Sequence, residues 1–432
     1  MPTPRNDAGY WHDCTPGPVD FAPPLAGETE AGVVIIGAGF TGLSTALHCR
    51  EMGLDACVLE ARSPGFGASG RNAGQWLPGW VGKTPAQVEA MHGHAAGARL
   101  NTFNVHATAL VPALVRQHGI NADLRACGIL QVAGDDKGLR RLHDVAAQWG
   151  RRGASISVLD RAGLRPYLLT DSYRGGILLH DGGCLNPLAY ALGLADAARR
   201  AGASIHCHSP AISLAQAGSR WEVRTPGGKV TAPHVVIATD AFGSPPLWPG
   251  LHASYYRLPI PMLCSQILSA GGRDFLPQTT PFAELRPTGL LFGGMLDPAG
   301  RWIVSTTPYF RSNNMETLGA WALRRFRKVF PQVAPFQWET LWWGDLGLSR
   351  DTLPRVYALG PGVHAVNGYS GGGIALATAL GRAIARMLAT GDARELPVAP
   401  IALESVPLRW FVPAVLRGAA MPIARLVDRF LG

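Results

Sequence analysis

Apolar positions in this chain follow two periods that alternate along its length. Residues 33–36, Val-Val-Ile-Ile, form an unbroken β-branched run, the pattern of a strand covered on both faces. Behind them Leu43, Ala46, Leu47 and Met52 recur at helical spacing, and Gly53 can end that helix. A second short apolar run, 56–59, closes on Glu60. The alternation returns later. Residues 188–200 read as helix, 203–207 as strand, and 230–243 as an apolar strand ending in Ala238-Thr239-Asp240-Ala241. Residues 364–366 read as a strand that runs into a glycine turn and then a helix, with Ile374, Thr378, Leu380 and Ile384 on nearby turns. The stretch after residue 81 looks largely helical, through Leu100, Phe103, Val105, Leu110 and Leu114, whereas 261–269, 290–293 and 302–306 look like strands. Strands alternating with helices predict an α/β fold built on a parallel sheet.

Composition narrows the class. A chain of 432 residues exceeds one small core, and 47% hydrophobic with 16% charged residues describes a well-buried enzyme rather than a disordered or fibrous chain. The formal net charge of +9 is spread out, with short concentrations only at Arg324-Arg325, Arg327-Lys328 and the C-terminal tail, so no nucleic-acid partner is expected. Seven cysteines without a CxxC argue against a disulfide framework, a zinc site or a redox dithiol. His92/His94 and His206/His208 stand apart from other ligands, so no metal is expected. The N-terminus lacks the apolar segment of a signal peptide, and no stretch approaches about 20 uncharged apolar residues, so a cytoplasmic protein is expected.

The chemistry starts at Gly37-Ala38-Gly39-Phe40-Thr41-Gly42. Gly37 permits a tight turn, Gly39 lets the backbone approach phosphates, and Gly42 allows close helix–strand packing. Phe40 and Thr41 open the helix, whose free N–H groups and dipole suit a pyrophosphate. Glu60 follows about twenty residues after Gly37, where a carboxylate can take ribose hydroxyls. An acid there repels a 2′-phosphate and disfavours NADP; FAD and NAD both stay open.

The next segment resembles a family. Ala61-Arg62 and the loop SPGFGASGRNAGQW (63–76) look like the D-amino-acid oxidase superfamily of flavoproteins, most of all its γ-glutamylputrescine-oxidase-like branch, whose members carry GASGRNGGQ; Ala73 stands at one of those glycines. The resemblance implies FAD contacts from Ala68, Ser69, Arg71, Asn72, Gly74 and Gln75. It implies adenine contacts from Ala211 and Ile212, a second flavin strand ending at Ala238 and Thr239, and a flavin-edge turn at Gly368, Gly371, Gly372, Gly373 and Ile374. The branch has histidine where this chain has Gly372, so the flavin contact carries over and that histidine's role does not.

On the same resemblance the fold is a Rossmann-like FAD-binding domain of the glutathione-reductase type with an α+β substrate domain. The first is discontinuous (30–80, 175–245 and 340–392); the second comprises 81–174 and 246–339. A basic amphipathic tail follows at 400–432, suited either to an anionic membrane surface or to packing on its own protein. The implied reaction oxidises a C–N bond of an amine or amino acid by hydride transfer to flavin N5, giving an imine that hydrolyses, with oxygen or another acceptor reoxidising the flavin. FAD is expected to be non-covalent, since no histidine or cysteine stands where covalent relatives attach it. Gln75, Tyr256, Arg257 and Trp343 are the residues expected at the reacting face, with Tyr255 and Arg286 beside them. The competing readings are a flavin monooxygenase, an NAD-linked dehydrogenase and a flavin-binding protein with little turnover.

Overall fold

The run Val33–Ile36 is buried at every position because a parallel neighbour flanks it on each side, Ala56–Leu59 on one and His234–Ile237 on the other. These belong to a six-stranded sheet in the order Arg355–Gly360, Val363–Asn367, His234–Ile237, Val33–Ile36, Ala56–Leu59, Ser204–His206, in which only the first pair is antiparallel. The structure, a computed structural model, describes residues 9–15, 23–243, 247–285, 291–306, 314–409 and 411–415.

Helices Phe40–Glu51, Pro187–Arg200 and Gly373–Thr390 cover this sheet. Gly381 lets two of them touch: a methyl group there would sit 2.5 Å from the Thr41 carbonyl oxygen. Ser44 Oγ then donates to the Thr378 carbonyl at 2.7 Å across the same contact. The helix Gly373–Thr390 is long and apolar enough to cross a membrane, but two-thirds (67%) of that stretch is buried within the protein, which accounts for its composition.

The expected single strand 230–243 is two. Pro233 carries no N–H for a ladder and separates Gly228–Ala232, in a four-stranded sheet, from His234–Ile237 in the central one.

An eight-stranded sheet forms the second layer, in the order Trp338–Leu348, Tyr256–Ile267, Arg301–Ser305, Leu291–Leu296, Phe282–Leu285, Ile129–Ala133, Gly175–Leu179, Ile156–Asp160. The insert after residue 81 is largely helical as expected, through Pro85–His92, His94–His118 and Asp136–Gly150, and it also contributes the strands Ile129–Ala133 and Ile156–Asp160 to this sheet. The boundary expected at 175 separates Gly175–Leu179 from Ile129–Ala133 and Ile156–Asp160, with which it pairs, and the boundary at 340 cuts through Trp338–Leu348, which pairs with Tyr256–Ile267. The core of this layer is aromatic; Phe275, Phe282, Trp302, Phe326 and Phe330 are buried, with Phe275 and Phe330 ring centres 4.7 Å apart. In the tail, the short helix Phe411–Val415 is described; the rest of the amphipathic stretch, from residue 416, lies outside the described residues, as does Arg286.

Candidate active site

The turn after Val33–Ile36 tolerates only glycine at two positions. Gly37 has φ +106°, and a Cβ there would lie 2.9 Å from the Ala238 carbonyl oxygen. A Cβ at Gly42 would run into the Gly37 carbonyl. The chain therefore turns tightly into helix Phe40–Glu51, whose N-cap, Gly39, offers no side-chain cap. Its first amide, Phe40 N–H, donates to Ser69 Oγ at 3.0 Å, which brings the 63–76 loop onto the helix N-terminus. Glu60 is held by amides: Oε2 accepts Ala38 N–H at 2.7 Å and Oε1 accepts Arg62 N–H at 2.8 Å. Burial raises its carboxyl above the usual range, and those amides pull the other way.

Within the loop, Arg71 Nε donates to the Phe66 carbonyl at 2.7 Å and its guanidinium lies 4.8 Å from the Phe66 ring centre. Asn72 Nδ2 donates to the carbonyls of Ala68 and Ser69, while its Oδ1 accepts Gly74 N–H at 2.8 Å. Both side chains shape the loop, which then presents its backbone.

A third segment closes the site. In the turn 368–373, Gly368 N–H donates to Asp240 Oδ1 at 2.9 Å, and the Tyr369 and Thr41 hydroxyls share a 2.5 Å hydrogen bond. Gly372 is the N-cap of helix Gly373–Thr390 and, like Gly39, brings no capping side chain. Two helix N-termini whose N-cap residues are glycines thus open on one cavity of about 1450 Å³. Every predicted cofactor residue lines it except Gly42, Gly74 and Gly368, which support the backbone behind it.

Of the expected substrate residues, Gln75, Arg257 and Trp343 line the cavity and Tyr256 does not. Neighbouring strand residues face opposite ways, so Arg257 on the cavity side sends Tyr256 to the other, where its hydroxyl donates to the Pro407 carbonyl at 2.8 Å. Arg257 is not a bare cation: Nη2 meets Asp345 Oδ2 at 2.5 Å, and the guanidinium sits 5.2 Å from the Phe242 ring centre.

Asp240 was not among the expected site residues. It adopts a left-handed φ of +42°, lies on the cavity wall, and has its carboxyl pushed up to about 6 by burial, against the pull of backbone amides at Gly368, Ala241 and Gly347. Its only signal was a carboxylate within an apolar strand end. Lys83, Gln131, Lys137 and Arg141 also line the cavity and were not anticipated, because they come from the insert whose strands were missed.

The glycine-only turn, the pinned Glu60 and the paired helix N-termini fit a flavin dinucleotide. Comparison with known proteins agrees: residues 32–387 match the DAO family, FAD dependent oxidoreductase. This chain belongs to that family. It is similar to gamma-glutamylputrescine oxidoreductase of Escherichia coli, at 30% identity over 84% of both chains. The crystal structure of glycine oxidase from Geobacillus kaustophilus shares its fold, with a TM-score of 0.70 at 21% identity, covering 87% of this chain and 99% of the other. L-proline dehydrogenase from P. horikoshii does so too, with a TM-score of 0.68 at 16% identity, covering 90% and 98%. In this DAO-family enzyme the cofactor is FAD.

Proposed function

We propose that the enzyme oxidises the C–N bond of a small amine or amino acid. The observation that carries this reading is one cavity of about 1450 Å³ lined by the turn after Val33–Ile36, the glycine turn at 371–373 and the sheet residues Arg257, Ala283 and Trp343. Relatives named for gamma-glutamylputrescine and for glycine support the amine class. Bound FAD supplies the two-electron acceptor for that bond. The substrate loses a hydride from the carbon bearing nitrogen and a proton from nitrogen; water then adds to the imine to release a carbonyl compound and an amine or ammonia. Oxygen or another acceptor takes the electrons onward.

The protein's own contributions are positional. Backbone amides at the two helix N-termini stabilise negative charge on the pyrophosphate and at the flavin edge. Gln75 offers a neutral donor and acceptor at the reacting face, where it can orient an uncharged amine. Trp343, Phe242 and Leu346 wall the cavity and exclude water. FAD is held without a covalent bond in this reading, which the lining supports: among the described residues it includes neither histidine nor cysteine. Product analysis tests the assignment. Turnover of an amine should yield one carbonyl product and one equivalent of released amine or ammonia, with peroxide if oxygen is the acceptor. A hydroxylated product would point to a monooxygenase instead.

A further inference from the structure

The cavity extends past the flavin turn along residues 77–84 and helix Asp136–Gly150. The connection is tight. A Cβ at Gly371 would lie 3.3 Å from Val81 Cγ2, Lys83 Nζ donates to Thr352 Oγ1 at 3.1 Å, and the Trp80 and Trp149 rings are 6.4 Å apart. The walls of this arm are apolar, from Leu142, Val145, Trp149 and Leu179.

Its charges are not balanced. Lys137 and Arg141 sit one turn apart on one helix face, and Lys83 lines the same cavity from the loop 77–84. None makes an ion pair among the described residues, whereas the cavity's Arg257 is matched by Asp345. The one acid of this arm, Asp135, is the helix N-cap, its Oδ1 accepting Gly138 N–H at 2.6 Å. Three cations against one carboxylate, at a helix N-terminus, make this end of the cavity favourable for an anion and unfavourable for a second ammonium.

We propose that the substrate carries a carboxylate remote from its reacting C–N bond, linked by an apolar stretch, and that Lys137, Arg141 and Lys83 receive it. This rests on the amine-oxidation reading above and deepens it. It also moves substrate anion recognition away from Arg257, which Asp345 and Phe242 already engage. The substrate class is therefore an ω-amino acid or an amine with a similarly distant carboxylate.

Two measurements on the holoenzyme test it. The first is titration with hexanoate, which cannot be oxidised at a C–N bond, followed by the absorbance of bound flavin. Hexanoate should perturb the spectrum, and the Lys137→Ala/Arg141→Ala variant should need about tenfold more of it. Both side chains are exposed, so the variant keeps its core. The second is anaerobic flavin bleaching by aminohexanoate, hexylamine and hexanediamine. Aminohexanoate should half-saturate at about tenfold lower concentration than hexylamine, a ratio that collapses towards one in the alanine variant and turns in favour of hexanediamine in Lys137→Glu/Arg141→Glu. Equal hexanoate binding in wild type and variant, or no advantage of aminohexanoate over hexylamine, overturns the proposal. Hexanoate binding that depends on Lys137 and Arg141 while no amine bleaches the flavin supports the anion site and counts instead against amine oxidation.

Discussion

The Asp240 carboxylate accepts the Gly368 amide at 2.9 Å, joining the end of the central strand His234–Ile237 to the glycine turn that opens helix Gly373–Thr390. Two cavity-lining segments more than a hundred residues apart in sequence are thereby held in one register. The contact has an energetic cost, because the carboxyl is buried and its pKa rises from 3.8 to about 6.

The sign of that shift sets a pH dependence. A carboxyl whose folded pKa lies above its unfolded value favours the fold when protonated, so its ionisation removes stability as pH climbs from about 4 to about 6, by about 3 kcal/mol in total. Asp240→Asn lacks this ionisation. The difference in unfolding free energy between variant and wild type should rise in the variant's favour across that window and stay flat above it. Denaturant unfolding at a series of pH values, without added FAD, checks this; parallel curves would contradict it.

Glycines of similar motif standing should respond very differently to a methyl group. At Gly37 it meets the Ala238 carbonyl at 2.9 Å in a left-handed backbone, whereas at Gly372 it meets only the mobile end of Leu376, also at 2.9 Å, with φ −85°. Gly37→Ala should weaken FAD binding by about a hundredfold or more, and Gly372→Ala by less than about fivefold. Equilibrium dialysis with FAD measures both.

Glu60 satisfies two amides with two oxygens. Glutamine keeps one acceptor and presents an NH₂ group to the other amide, so Glu60→Gln should cost about 1–3 kcal/mol of FAD affinity, a ten- to hundredfold weakening. Flavin fluorescence titration reads it directly.

Asp345 is buried and faces the half-exposed Arg257. Arg257→Leu removes that counter-charge and should destabilise the holoenzyme by about 1–3 kcal/mol, whereas adding Asp345→Asn should restore part of the loss. Thermal unfolding of the two variants and of Asp345→Asn alone completes the cycle.

The parts of this molecule that could be read in advance are those with local causes. Gly37, Gly39, Gly42 and Glu60 lie within one strand–turn–helix–strand unit: a Cβ at Gly37 or Gly42 would meet a backbone carbonyl, and Glu60 accepts the Ala38 amide. The strand Ile129–Ala133 was hidden because its partner Phe282–Leu285 lies far along the chain, and a short apolar run between helices carries no period of its own. Gly175–Leu179 was expected in the cofactor domain, although it pairs with Ile129–Ala133 and Ile156–Asp160. Tyr256 was a different kind of miss: the two-residue period of a strand already forbids it from sharing a face with Arg257. Lys137 and Arg141 were not anticipated; they line the cavity because their helix Asp136–Gly150 packs on the strands Ile129–Ala133 and Gly175–Leu179.

This fold holds FAD and, on the function proposed above, uses it on an amine. Anaerobic addition of a panel of amines and amino acids to the purified yellow protein, followed by absorbance, tests it most directly. The account predicts that at least one ω-amino acid bleaches the flavin bands and that readmitted oxygen or an added electron acceptor restores them. A colourless protein that FAD cannot reconstitute, or a yellow one that no amine bleaches, would contradict it.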